Sequence, residues 1–135
     1  MPTAAAEIQL SDHLRKIPST VRPTVEAAIR TVKAAAANAN EITYRSRPPR
    51  STRAMWKIVR YAVDGVNVVG IGTFPSHATL FFYRGRELDD GSGLLQGGGK
   101  NLRFITLRIP ADAERSVVKG LMRKAFKLGG TAIKS

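Results

Sequence analysis

Apolar residues recur every three or four positions in the first third of the chain. They form β-branched and aromatic runs in the middle, then return to the helical period at the end. In "IQLSDHLRKI" Ile8, Leu14 and Ile17 share one side of a short helix over 8–17, which Pro18 stops. Ser19 and Thr20 offer an N-cap for the next helix, and Pro23 fits a first turn. Val21, Val25, Ala28, Ile29, Val32 and Ala36 then mark one face of an amphipathic helix over 20–37, ended by "NAN".

The central pattern predicts strands. "EITYRS" reads as the first, followed by "RPPRSTR" (47–53), whose prolines forbid ladder pairing. "MWKIVRYAV" and "VNVVGIGTF" are separated by Asp64-Gly65, a strong hairpin signal because both positions tolerate positive φ. "PSH" (75–77) turns the chain into "ATLFFYR"; a glycine-rich loop leads to "NLRFITLRI", stopped by Pro110. Asp112 and Glu114 open a last helix over 111–128, with Gly129-Gly130 closing it.

This order, α-α-β-β-β-β-β-α, predicts an α+β fold. An antiparallel sheet of about five strands is expected to carry the N-terminal helices and the C-terminal helix on one face. The expected domain spans 8–128, with 1–7 and 129–135 as flexible termini. At 135 residues the chain is long enough for one real core.

Charge changes this ordinary picture. The net charge is +12, which favours anionic partners: nucleic acid, another anionic macromolecule or a phosphorylated small ligand. Solubility alone is the competing explanation. No cysteine is present, which excludes disulfides, thiolate metal sites and cysteine nucleophiles. "MPTAAAEIQL" lacks a basic n-region and Glu7 interrupts it, so no signal peptide is expected. No apolar run reaches membrane-span length. The expected setting is the cytoplasm, without a membrane partner.

The basic residues are not evenly spread. Residues 42–63 hold no acid but contain Arg45, Arg47, Arg50, Arg53, Lys57 and Arg60, interleaved with Tyr44 and Trp56. Arginine beside aromatic rings suits single-stranded nucleic acid; the alternative puts Trp56 and Tyr44 in the core. Arg115, Lys119, Arg123 and Lys127 form a second stripe on the last helix, opposite Val117, Leu121 and Ala125.

The loop "DDGSGLLQGGGKNLRF" suggests a phosphate cradle, but its spacing fails. A P-loop needs glycine where Leu94 stands and Ser or Thr where Asn101 stands, and a helix must follow. A dinucleotide fingerprint starting at Gly91 needs glycine at Gln96. A long hairpin loop needing positive φ at several glycines remains, with Lys100 and Arg103 as candidate anion contacts. His13 and His77 are expected to face solvent. Glu87, Asp89 and Asp90 are weak candidates for a hard cation, without EF-hand spacing. No serine sits in a nucleophile elbow, and nothing assembles an enzyme.

"ITYRSRPPR", "MWKIVRYAVDGVNVVGIGTF", "TLFFYRGRELDDGSGLLQGGGKNLRFITLR" and the basic terminal helix together resemble the YdhG-like family of small bacterial domains over residues 8–128. The most specific part is Gly99-Lys100 running into Arg103-Phe104. The resemblance implies a frataxin-like fold and, for one branch, an iron chaperone for cluster or haem assembly. Frataxins hold iron through acidic side chains on the first helix and strand. The corresponding stretch here offers only Glu7, Asp12, Glu26 and Glu41 among cations. The expected function is therefore a non-enzymatic binding domain for an anionic partner or ligand, without cofactor. A frataxin-like iron chaperone or iron–sulfur assembly partner, with iron, is the alternative.

Overall fold

The structure is a computed structural model and describes residues 9–131. Ile8, Glu7 and the expected flexible segment 1–7 lie outside the described residues, as do residues 132–135. Two helices, α1 (Leu10–Lys16) and α2 (Arg22–Ala35), precede four strands: β1 (Asn40–Thr43), β2 (Trp56–Val63), β3 (Val66–Thr73) and β4 (Ala78–Phe82). A helical turn, α3 (Gly85–Leu88), then β5 (Arg103–Leu107), α4 (Pro110–Ala113) and α5 (Ser116–Thr131) complete the order. The five strands form one sheet in the order β1-β2-β3-β4-β5, each pair antiparallel. No described helix is long and apolar enough to cross a membrane.

Strand alternation explains the layering. Val69 pairs with Phe82, Ile71 with Leu80 and Leu80 with Ile105, so these side chains share a face. They join one buried cluster with Val25, Ala28 and Val32 of α2 and Val118, Met122 and Ala125 of α5. Both long helices thus cover one side of the sheet, as the pattern predicts. The β2–β3 turn uses Asp64 at φ 51° and Gly65 at φ 79°, the primed geometry that Asp-Gly favours. Two register shifts interrupt the β2–β3 ladder and leave Ile58 and Val68 as extra residues. Both are buried, so each bulge adds an apolar side chain to the core.

Several boundaries differ from the sequence reading. Ser19 and Thr20 do not cap α2; Val21 occupies the N-cap, and Pro18 O accepts from both Val21 N and Arg22 N at 2.9 Å. The first strand ends at Thr43, although Tyr44 N–H still donates to Ile58 O at 3.0 Å. The last helix is divided: Glu114 N–H closes a turn on Ala111 O at 3.1 Å, and α5 starts afresh at Ser116. Gly129 does not end α5. It is buried against Val68, which a Cβ would meet at 2.8 Å, so glycine serves close packing there. Val117, expected in the core, is 47% exposed, because the buried stripe runs through Val118, Leu121, Met122 and Ala125.

The other sheet face carries a smaller cluster. Arg60, Gly70, Phe81 and Phe104 lie in one register row. Phe81 is fully buried, although the helices cover the opposite face. Its ring lies over Gly70, where a Cβ would come within 2.3 Å, and meets Tyr83 edge-on at 5.7 Å. Above this row the Tyr44 and Tyr83 hydroxyls meet at 2.5 Å, with the Arg60 guanidinium 5.0 Å from the Tyr44 ring. Burial, followed by the Tyr44 hydroxyl, pushes the Tyr83 phenol above its ordinary range.

Candidate anion-binding site

The site begins where β1 leaves the sheet. Residues 44–46 continue beside β2, with Ser46 Oγ donating to Lys57 O at 3.2 Å. Two side chains from other elements pin this segment. His13, from α1, donates Nε2–H to Tyr44 O at 2.6 Å; Trp56, from β2, donates its indole N–H to Ser46 O at 3.2 Å. The two rings pack edge-on with centroids 4.7 Å apart. His13 is 2% exposed, so the expectation that it faces solvent is wrong. Its place four residues before Ile17 puts it on the buried side of α1, a signal the sequence already held. Trp56 is 5% exposed, which decides for the core over a free stacking ring. Tyr44 is half-buried and bonded to Tyr83, so it is not a free platform either.

Among the described residues, no protein group partners the buried His13 Nδ1. A buried polar atom without a partner costs about 1–3 kcal/mol, a cost that a bond from water or ligand removes.

The pinned segment and α1 enclose an open cleft of about 450 Å³, lined by Asp12, His13, Arg15, Lys16, Arg45, Ser46 and Arg47. Four of these side chains are cations and one is an acid. Asp12 pairs with Arg15 and also accepts from Gln9 N at 3.0 Å. The Gln9 N–H, then the Arg15 guanidinium, hold its carboxyl below the ordinary range. The cleft therefore keeps a net positive lining.

Arg47, Arg50 and Arg53 are all exposed on the loop that leaves this cleft. Sequence reading found the loop but missed Arg15 and Lys16. Their contribution depends on α1 packing beside residues 45–47, a tertiary fact.

The other candidates fall elsewhere. Arg103 is only 15% exposed in its side chain and donates to Gly99 O at 2.6 Å and Leu102 O at 2.9 Å. It holds the glycine loop from inside, with Asp89 3.9 Å from its Nε. Lys100 is exposed at that loop, apart from the cleft lining. Gly91, Gly93 and Gly97 have φ of 81°, 89° and 116°, so the glycines serve the turn geometry expected of a hairpin loop. Gln96 and Phe104 exchange both backbone hydrogen bonds at 2.9 Å, which lays part of the loop along β5.

The acidic trio is divided among separate partners. Glu87 is gripped by Arg84, which holds its carboxyl below the ordinary range. Asp89 accepts from Gly91 N and Asp90 from Ser92 N, each at 2.9 Å. No group of three metal-capable side chains occurs among the described residues. On α5, Lys119, Arg123, Lys124 and Lys127 are exposed, forming a separate basic face.

His77 is half-buried and stacks on Phe74 at 4.6 Å, with Ser76 Oγ 3.1 Å from Nδ1. Burial, then the Arg108 charge, lowers its pKa. The fold thus favours neutral His77. This contribution to stability is present above the unfolded value of about 6.5 and is lost as pH falls through the depressed folded value. An NMR titration of the His77 ring should give a midpoint below that of an unfolded control. A midpoint at or above the control would contradict the packing described.

Comparisons with protein-family models, with curated proteins and with solved structures give no match to the chain.

Proposed function

We propose that the chain is a YdhG-like domain of the cytoplasm, without catalytic activity, that binds an anionic partner through the cleft between α1 and the 45–53 loop. One observation carries the reading: Arg15, Lys16, Arg45 and Arg47 converge on a single cleft whose backbone wall is fixed by two buried rings. Cations on a fixed wall lose less freedom on binding than cations on a loose tail. The +12 net charge adds long-range attraction for the same class of partner.

The test is polyanion binding at several salt concentrations, with a labelled single-stranded oligonucleotide as probe. Affinity should fall steeply with salt. Replacing Arg47, Arg50 and Arg53 together by alanine should weaken binding and flatten the log–log slope by up to roughly 2, at about 0.7 for each phosphate no longer neutralised. Thermal stability should hardly change, because the three side chains are exposed. Unchanged affinity and slope in the triple variant would remove the loop from the binding surface.

A further inference from the structure

The basic cleft has an apolar neighbour. Lys16 lines both the cleft and a second hollow of about 120 Å³ beside the same loop. The apolar walls of that hollow include Ile17, Pro48, Pro49, Trp56, Phe74 and Pro75. The His13–Trp56 pair stands between the two: His13 lines the cleft, Trp56 lines the hollow, and their centroids are 4.7 Å apart. The two chambers thus share the Lys16 side chain and flank one ring pair.

Each chamber selects a different chemistry. Lys16, Arg45 and Arg47 suit phosphate oxygens, the arginines through their planar forks, while Arg15 adds charge from its pair with Asp12. Prolines carry no N–H, so Pro48, Pro49 and Pro75 offer the hollow only ring carbon and carbonyl. With Phe74 and the small exposed part of Trp56 they suit a flat ring rather than a strongly hydrated group. His13 adds a third requirement. Its buried Nδ1 has no partner among the described residues, and His13 lines the cleft, so a polar ligand atom there has a ring nitrogen to bond.

We propose that the cleft and the hollow together take one ligand unit in which a phosphate sits beside a flat aromatic base, that is, a nucleotide. The unit is either free or part of a single strand. This rests on the anion-binding reading above and names the chemical class of its ligand.

Trp56 is the only tryptophan, so its emission reports on the hollow. The probes are AMP, inorganic phosphate, adenosine and an oligodeoxyadenylate, added to the full chain at fixed ionic strength. AMP is expected to bind at least about ten-fold more tightly than either phosphate or adenosine and to change Trp56 emission. Arg47→Ala should weaken AMP and phosphate alike. Ala54→Leu enlarges an exposed side chain lining the hollow. It should remove most of the AMP advantage and leave phosphate binding unchanged.

An oligodeoxyadenylate tighter than AMP identifies a strand as the source, and the reverse identifies the free nucleotide; either supports the proposal. AMP no tighter than phosphate overturns the two-chamber inference and leaves the anionic cleft standing. No binding by phosphate, AMP or the oligonucleotide overturns both.

Discussion

Trp56→Ala is expected to destabilise the domain by about 3–5 kcal/mol, the usual cost of removing a large buried aromatic side chain. Three contacts lie behind that figure. The indole is 5% exposed and belongs to the main core cluster. Its edge supports the His13 ring at 4.7 Å, and its N–H holds Ser46 O at 3.2 Å. The loss should appear in denaturant unfolding as a lower midpoint. Polyanion affinity should fall as well, because residues 44–46 lose one of two pins. Trp56→Phe separates these effects: it restores most of the buried volume but not the N–H donor. Its stability should lie much nearer wild type, while its affinity stays reduced. A loss below about 1 kcal/mol for Trp56→Ala would match an exposed residue rather than a core one.

Phe81→Ala should cost a similar amount, about 3–5 kcal/mol, on the opposite face of the sheet. Phe81 is fully buried over Gly70, with Tyr83 edge-on and the Lys57 ammonium 5.5 Å from its ring centroid. Gly70→Ala is the reciprocal test. A Cβ would come within 2.3 Å of the ring carbons, and a fully buried ring has little room to retreat. Its expected cost is about 1–3 kcal/mol. The double variant distinguishes contact from chance. With the ring gone, Gly70→Ala should become neutral or stabilising, since alanine in a strand interior is favoured over glycine by roughly 0.5–1 kcal/mol. Additive costs would mean that Gly70 and Phe81 do not touch. Polyanion binding should persist in both single variants that remain folded, because neither residue lines the cleft.

The site was less legible in the sequence than the fold. The Arg45–Arg53 run was plain from composition. The aromatic residues beside it were not, because Trp56 suits either a stacking platform or a core until its neighbours are known. His13 was misread through its polarity. The imidazole is buried because Tyr44 O and Trp56 surround it, both far away in sequence. Arg103 reads in sequence as a surface charge, yet its guanidinium bonds to backbone carbonyls that only the folded loop presents.

The sequence by itself determined the period of each element, the Asp64-Gly65 hairpin, the α-α-β5-α order and the sharing of one sheet face by the long helices. These follow from local rules: side-chain spacing, turn conformations and the need to bury each apolar face once. Only the tertiary structure decided the two bulges, the divided last helix, the Phe81 cluster on the second face and the convergence of α1 with the basic loop. Each depends on residues far apart in the chain being packed to near-crystalline density, where the shape of one side chain fixes the place of another. Charge acts over distance and is visible in composition, but a binding site needs charges at fixed mutual positions, and packing sets those positions.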